Sequence, residues 1–417
     1  MNATGWKEKD DRTIAEMQMY MERKRLDAFI PSKATHIAYL MNYWDLIHSI
    51  IPWEEMTGFL VVLSGGEAFA VGETGCFAGP DDAQVHPWWL KERINTPRPG
   101  RRTLDRLAEK IKGKGLSKAR IGIERKWMPL ALYEELHFRL PDVEFVEADL
   151  LVPQIRFIKT SREQELLRKA ANIGLASMDA YMVALRNGAD ELEANIVRAK
   201  KALELGGEWL GGPYRLAWTG GTDETPDWWD EDALRGFKAS KLRRWRGLPE
   251  NLPFLVTHFE ARYQWYLSDM AWHQFYGAEP DDGDMLAWGD KKIKYADAKY
   301  DFAVLRQAQS EVLNQIKPGM DHLTAKRQVG DYIASHEEFS KHITNYYIHG
   351  LGLDVHEEPI LTGYVDIPTP LDGAIYYQPG AVVSSEWFTA LWTVEEPFVM
   401  TAFGWIPLVE LRGVTCG

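Results

Sequence analysis

One stretch decides the fold of this chain, Tyr347-Ile348-His349-Gly350-Leu351-Gly352-Leu353-Asp354-Val355-His356-Glu357-Glu358-Pro359. It contains two histidines seven residues apart, three carboxylates, two glycines and a closing proline. Glycine lets two backbone segments approach closely, and proline restricts the chain direction. Because so many polar groups are costly to bury alone, the stretch predicts a site at which a metal or a substrate satisfies them.

Two further segments place an acid within an apolar run of the kind that forms β-strands. They are Pro379-Gly380-Ala381-Val382-Val383-Ser384-Ser385-Glu386 and Thr393-Val394-Glu395-Glu396-Pro397-Phe398-Val399-Met400-Thr401. A carboxylate buried in such a strand needs a cation beside it. Glu386 and Glu395 are therefore candidates for the same site.

The three segments occur in the order H-G-x-G-x-x-x-H-E-x-P, P-G-x-V-x-x-x-E and V-E-x-x-x-x-M-T-x-x-G. This combination resembles the creatinase/aminopeptidase family, whose catalytic domain has the α+β pita-bread fold. Its members include methionine aminopeptidase, Xaa-Pro dipeptidase, Xaa-Pro aminopeptidase and creatinase. The resemblance implies a pita-bread catalytic domain in the second part of this chain.

The chain divides near residue 155 into two predicted domains. Residues 1–154 alternate between strand and helix patterns, with a hairpin predicted over 58–71, which is typical of an α/β domain and resembles the creatinase-type N-terminal domain. At position 158 the sequence I-K-T-x-x-E resembles the entry into the pita-bread domain, which we assign to residues 155–417. Ser161 is the predicted N-cap of a long helix that ends at Gly188.

Composition restricts the partners of the chain. The formal net charge of −13 argues against nucleic acid or an anionic membrane surface. Two cysteines, Cys76 and Cys416, provide neither a disulfide framework nor a thiolate metal site. No apolar run reaches about 18 residues, and residues 1–10 lack a signal-peptide core. We expect a soluble cytoplasmic protein that acts on a small molecule, and the resemblance implies a homodimer.

The resemblance also implies a ligand set. The family's ligands Asp, Asp, His, Glu and Glu fall, in order, on His258, Asp269, His349, Glu386 and Glu395. Four of the five match, whereas His258 replaces the first aspartate. These oxygen and nitrogen donors suit Mn(II), Fe(II), Co(II) or Zn(II). Because the first aspartate binds only the second metal in the family, we expect one tight site and a second that is weak or absent, with Glu260 as an alternative donor.

Catalytic roles follow from the same resemblance. A metal held by these ligands would activate a water molecule and polarise a substrate carbonyl. Glu386 would also carry protons, with His349 beside it among the catalytic residues. His356 would donate a hydrogen bond to the developing oxyanion or to the leaving group. For His356 the alternative is a structural histidine that caps a loop.

A tryptophan-rich region lies within the second domain. Trp209, Trp228, Trp229 and Trp272 are candidates for an aromatic wall that binds a cationic substrate. Ordinary core packing is the alternative, and the sequence leaves both open.

The main functional hypothesis is a metal-dependent hydrolase, Xaa-Pro peptidase-like, that cleaves a C–N bond of a small dipeptide-like or modified amino-acid substrate. One alternative is a lyase on a small cationic carboxylate, since positions 206–209 and 226–228 resemble the dimethylsulfoniopropionate lyase built on this fold. A metal-independent, creatinase-like amidinohydrolase and a non-catalytic binding protein are the others. Three departures from the peptidases keep these open: His258 itself, Ala271-Trp272-His273 in place of T-R-T, and the lack of histidine between Thr225 and Thr257.

Overall fold

A computed structural model describes residues 6–42, 58–73, 86–96, 101–189, 191–208, 217–220, 254–258, 260–275, 279–288, 291–362, 375–389 and 392–411. The chain divides into two compact units, Met1–Arg156 and Phe157–Gly417. Within the described residues, no helix is both long enough and apolar enough to span a membrane.

The first unit is built on a six-stranded mixed sheet with the strand order β4-β3-β2-β1-β5-β6. Its strands are β1 (Ala28–Ile30), β2 (Gly58–Leu63), β3 (Ala68–Glu73), β4 (Leu90–Thr96), β5 (Arg120–Ile123) and β6 (Glu144–Glu147). The described helices are α1 (Lys7–Lys24), α2 (Ala34–Met41), α3 (Arg101–Gly113), α4 (Leu130–Arg139) and α5 (Leu151–Phe157), which ends at the boundary. Strands β2 and β3 form the predicted hairpin, and β1, β5 and β6 run parallel, so the α/β prediction is confirmed.

Helix α2 differs from the sequence prediction, which gave residues 37–40 only as a short segment after a turn. The distant side chain of Glu124 contacts the backbone at the start of this helix. Its carboxylate accepts hydrogen bonds from the backbone N–H groups of Ser32 (2.6 Å) and Lys33 (2.9 Å), immediately before the helix begins. An acid almost a hundred residues away therefore fixes the backbone that leads into this helix, and no local pattern reveals it.

The second unit is built on a mainly antiparallel sheet in the order β15-β14-β16-β17-β11-β8-β7, with β18 paired to β17. The sheet strands are β7 (Ala217–Gly220), β8 (Phe254–His258), β11 (Ala271–Phe275), β14 (Asn345–Gly350), β15 (Glu357–Thr362), β16 (Val382–Phe388), β17 (Thr393–Thr401) and β18 (Gly404–Pro407). Two small hairpins pair β9 (Arg262–Tyr263) with β10 (Tyr266–Leu267), and β12 (Met285–Trp288) with β13 (Lys291–Lys294). The described helices are α6 (Ser161–Arg186), α7 (Glu191–Glu204), α8 (Tyr295–Leu313), α9 (His322–Ser335) and α10 (Glu337–His342).

Helix α6 begins one residue earlier than the predicted cap implies. Thr160, not Ser161, is the N-cap: its side chain accepts a hydrogen bond from the Glu163 N–H, and the Glu163 carboxylate accepts one from the Thr160 N–H at 2.8 Å. Both Thr160 and Ser161 have a Glu or Gln three residues later, and the structure forms the reciprocal capping box with Thr160 and Glu163. The helix ends at Arg186, and Gly188 follows in the left-handed region with φ of 88°.

We expect His322 to make folding sensitive to mild acid. Its imidazole is buried in α9, with Nδ1 3.2 Å from the Tyr377 hydroxyl. Burial, followed by the charge of Lys326, lowers the pKa of His322 from 6.5 to about 4. Below pH 6.5 the unfolded chain binds a proton that the folded chain does not, so stability falls towards pH 4 by about 3 kcal/mol.

The variant His322→Gln cannot titrate, so its free energy of unfolding should change less between pH 6.5 and pH 4 than that of the wild type. Urea unfolding at several pH values measures the difference between the two curves, in which the other titrating groups cancel. Parallel curves would contradict the assignment.

Candidate metal centre

The register of the main sheet aligns several of the predicted positions in one row. Glu386 on β16 lies opposite Tyr347 on β14 and opposite Glu395 on β17. Glu395 in turn lies opposite Ala271 on β11, and the backbone of His258 on β8 lies opposite Ala271. Residues directly opposite each other in antiparallel strands share one face of the sheet. The row therefore brings the two acids, Glu386 and Glu395, together although they come from different segments.

His349 and Asp269 complete the described part of the site. His349 lies two residues after Tyr347 on β14, and hence on the same face of that strand. Asp269 belongs to the short segment between β10 and β11, so it comes from outside the regular strands. Both side chains are buried.

Four side chains place ligand atoms within 4.8 Å of one another: Asp269, His349, His356 and Glu386. His349 Nε2 lies 2.7 Å from Glu386 Oε1 and 3.2 Å from Asp269 Oδ2. His356 Nε2 lies 3.9 Å from the same Glu386 oxygen. The side chain of His356 is 55% exposed, whereas that of His349 is 0% exposed, so the group is open on the His356 side.

The hydrogen bonds of His349 define its tautomer. The Nδ1 atom lies 2.9 Å from the carbonyl oxygen of Gly350, which can only accept, so Nδ1 carries the proton and donates it. Neutral imidazole then directs the lone pair of Nε2 at the carboxylates of Glu386 and Asp269. Such an arrangement is repulsive unless a cation lies between them, either a proton on Nε2 or a metal ion.

The pKa values describe the same excess of negative charge. Burial alone would lower the pKa of His349, but Asp269 and Glu386 raise it to about 10. Burial, followed by the charge of Glu395, raises the pKa of Glu386 to about 8, against the opposing effect of His349. For Asp269, burial opposes the shift, and His349 holds the pKa below its usual value. The site thus lacks positive charge.

The described residues fit a divalent cation. Asp269 Oδ2 is buried, and apart from its 3.2 Å contact with His349 Nε2 it has no hydrogen-bond partner among the described residues. An unsatisfied buried carboxylate oxygen is costly, and a metal ion would satisfy it. The donors are oxygen and imidazole nitrogen, which suit a transition metal such as Mn(II), Fe(II), Co(II) or Zn(II).

The other predicted positions are Glu395, His258 and Glu260. Glu395 is not among the four clustered residues, but its charge raises the pKa of Glu386, so the two carboxylates are close. For His258 the structure describes the backbone only. Glu260, the alternative donor, lies near Arg198. Burial lowers the pKa of Arg198, and the negative charge of Glu260 opposes this shift.

Of the four tryptophans predicted to form a substrate wall, three lie outside the described residues: Trp209, Trp228 and Trp229. Trp272 is described and is 2% exposed. Its indole N–H donates a hydrogen bond of 2.8 Å to Glu396 Oε1. This places its polar edge against the strand residue that follows Glu395.

Tyr347 is a site residue that the sequence did not single out. Its ring centroid lies 4.9 Å from that of His349 and 5.3 Å from that of His356. Burial, followed by the charge of Glu386, raises the pKa of Tyr347 to about 12, so its hydroxyl remains a hydrogen-bond donor. The available signal was its position two residues before His349, on the same face of the strand.

The glycines of the H-G-x-G motif allow a close approach to the H-E-x-P motif. A Cβ atom on Gly350 would lie 2.8 Å from the carbonyl oxygen of Glu358. One on Gly352 would overlap with Glu357 Oε1. The carboxylate of Glu357 accepts hydrogen bonds from the backbone N–H groups of Leu353 (2.7 Å) and Asp354 (3.2 Å). The motif therefore shapes the loop that carries His356.

Comparison with known proteins adds family matches for both units. The model of metallopeptidase family M24 matches residues 165–405. The model of the creatinase/prolidase N-terminal domain matches residues 14–158.

Individual relatives cover most of the chain at low identity. An Xaa-Pro dipeptidase of Lactobacillus delbrueckii subsp. lactis is 23% identical over 407 residues, or 95% of this chain and 96% of the relative. An Xaa-Pro dipeptidase of Pyrococcus horikoshii is 22% identical and covers 87% of this chain and 88% of the relative. The solved structure of an Xaa-Pro dipeptidase from Bacillus anthracis superposes with a TM-score of 0.68 at 18% identity, covering 98% and 99% of the two chains. At this identity the likeness shows the fold alone.

We expect Gly352→Ala to lower the free energy of unfolding by about 1–3 kcal/mol, because the added methyl group meets a carboxylate that is held by two backbone N–H groups. Gly330→Ala is the matched control. Gly330 lies within α9, and a methyl group added there would have no other atom within 4 Å, so alanine should stabilise by about 0.5–1 kcal/mol. Denaturant unfolding compares the two, and equal effects would contradict the crowding at Gly352.

Proposed function

The chain belongs to metallopeptidase family M24, and we propose from this that it is a metal-dependent hydrolase that cleaves the C–N bond of a small dipeptide-like substrate. The resemblance to the creatinase/aminopeptidase family is confirmed, as are the creatinase-type N-terminal domain and the pita-bread domain. Because both relatives are named Xaa-Pro dipeptidase, dipeptides with a C-terminal proline are the substrates to test first.

One observation carries the proposal. His349 Nε2 is held between the buried carboxylates of Glu386 and Asp269, at 2.7 Å and 3.2 Å. This buried set of nitrogen and oxygen donors has too little positive charge, as expected for a metal centre. His356 leaves the set open to the exterior, where a small substrate can enter.

We assign the metal to Asp269, His349, Glu386 and Glu395, with His258 as the weaker fifth position. The family positions and the register of the sheet support this assignment. A divalent ion bound there supplies positive charge and Lewis acidity to the hydrolysis of an amide.

The side chains around the ion would carry out proton transfer and donate hydrogen bonds to the substrate. The Glu386 carboxylate, on the sheet face that carries Tyr347, is placed to accept a proton from the attacking water and to return it to the leaving amine. The exposed imidazole of His356 lies beside Glu386 and can donate a hydrogen bond to the substrate carbonyl oxygen as negative charge develops. The Tyr347 hydroxyl offers a second donor on the same face.

The alternatives are not favoured. The relatives are named dipeptidases, which argues against the lyase and the amidinohydrolase. A metal-independent or non-catalytic role would leave the buried carboxylate of Asp269 without a purpose.

We also propose the number of metal sites, the location, the oligomeric state and the domain bounds of the protein. We retain one tight site for Mn(II), Fe(II), Co(II) or Zn(II) with a second that is weak or absent, because His258 replaces a chelating anion by a neutral donor. We also retain a cytoplasmic homodimer with no nucleic-acid or membrane partner, and domains over residues 1–154 and 155–417. The charge of −13 supports the exclusion of nucleic acid.

We expect the wild type with added Mn(II) to hydrolyse an Xaa-Pro dipeptide and, in ¹⁸O-labelled water, to place one labelled oxygen in the released Xaa carboxylate. His356→Ala should lower kcat by about 100- to 1,000-fold, because it removes a donor to the oxyanion, while Mn(II) affinity stays unchanged. Steady-state kinetics and calorimetric titration measure the two effects.

No cleavage of the dipeptide, together with an alkene formed from dimethylsulfoniopropionate without incorporation of label, would replace the hydrolase by the lyase. A His356→Ala variant with wild-type kcat would instead assign this histidine to loop structure.

The number of bound metal ions should depend on which residue occupies position 258. We expect about one equivalent of Mn(II) in the wild type and about two in His258→Asp, because aspartate restores the anionic ligand of the second ion. Elemental analysis after dialysis against Mn(II) gives both numbers. Two equivalents in both proteins would mean that His258 or Glu260 already completes a dinuclear site.

A further inference from the structure

The segment Ile158–Glu163, which carries the I-K-T-x-x-E motif, contributes no ligand to the metal centre. We propose that Lys159 of this segment is a positioning residue that fixes His356 relative to Glu386, an inference that rests on the proposed function. Its backbone and its side chain bind two different parts of the site.

The backbone of Lys159 is attached to the start of β16. Its N–H donates a hydrogen bond of 2.8 Å to the carbonyl oxygen of Gly380, and Ile158 pairs with Ala381 in an isolated antiparallel bridge. Gly380 has φ of 97°, and a Cβ atom there would lie 2.8 Å from the Lys159 carbonyl oxygen. The two backbones are thus in close contact just before the strand that carries Glu386.

The side chain of Lys159 reaches the other part of the site. Its ammonium Nζ lies 3.2 Å from Glu357 Oε2, and the two side chains are only 2% and 5% exposed. Glu357 directly follows His356 in the sequence. A buried ion pair constrains both partners, because separating two charges that are shielded from solvent is costly.

Glu357 transmits this constraint to the loop. Its second oxygen, Oε1, accepts hydrogen bonds from the N–H groups of Leu353 at 2.7 Å and Asp354 at 3.2 Å. The carboxylate therefore closes the turn that precedes His356, while Lys159 holds the carboxylate from the other side. The half-exposed imidazole of His356 is then attached to a fixed backbone.

The same segment also reaches the third part of the site. Glu163, the acid of the capping box, accepts a hydrogen bond of 2.9 Å from the Tyr266 hydroxyl on β10. Tyr266 lies three residues before Asp269. The segment thus contacts the chain beside Glu386, His356 and Asp269, and Lys159 makes the contact that serves His356.

The test compares Lys159→Met, which removes the charge, with Lys159→Arg, which keeps it. Asp301→Asn is the matched control, because it removes the negative charge from a partly buried contact of 2.6 Å with His342 between α8 and α10, away from the site. Amide hydrogen exchange over residues 350–357, Mn(II) affinity, and kcat and KM for an Xaa-Pro dipeptide are measured on each full-length protein.

For Lys159→Met we expect exchange over residues 350–357 to accelerate at least about tenfold and kcat to fall at least about tenfold, with KM and Mn(II) affinity within about threefold of the wild type. Lys159→Arg should recover most of both losses. Asp301→Asn should leave exchange over 350–357 and kcat within about twofold.

Equal acceleration in Lys159→Met and Asp301→Asn would overturn the proposal, since Lys159 would then serve only general stability. If Lys159→Met does not fold, the double variant Lys159→Met/Glu357→Gln removes the unpaired charge and keeps an acceptor for the two N–H groups. Fast exchange and low kcat in the double variant support the proposal, and wild-type values contradict it. A wild type without peptidase activity would remove the proposed function alone, because hydrogen exchange still decides the role of Lys159.

Discussion

The second unit is organised around the imidazole of His349, held between two buried carboxylates. Its Nδ1 proton is committed to the carbonyl oxygen of Gly350, so the lone pair of Nε2 faces negative charge. Folding this group without a cation is unfavourable, and the two carboxylates raise the pKa of His349. A metal bound at the proposed site would therefore also stabilise the fold of this unit.

The sheet makes this arrangement possible because it pairs strands that are distant from one another in the sequence. Glu386 and Glu395 come from neighbouring strands whose register places them side by side. Asp269 comes from a segment more than a hundred residues earlier. Because antiparallel strands keep opposite residues on one face, the sheet holds like charges close that would separate in a flexible chain.

The loop beside the metal centre depends on a second, satisfied charge pair. Glu357 is as buried as the carboxylates that we assign to the metal, but it has a lysine and two backbone N–H groups as partners. The two buried acids of the same unit thus differ: Glu357 is neutralised by the protein, whereas Asp269 Oδ2 contacts His349 at 3.2 Å but has no hydrogen-bond partner among the described residues. This difference supports a structural role for Glu357 and the proposed ligand role for Asp269.

The sequence by itself determined the two-part architecture, the principal helices, the hairpin over 58–71 and the candidate residues Asp269, His349, His356 and Glu386, because these are recorded in local periodicity and in a motif with fixed spacing. Tertiary structure decided what depends on distant partners. Glu124 binds the backbone N–H groups immediately before α2 from almost a hundred residues away. Tyr347 joins the site through strand register, and the role of Lys159 appears only in its contact with Glu357. The physical reason is the same in each case: a charge or a hydrogen bond acts over a few ångströms in space, whatever the separation along the chain.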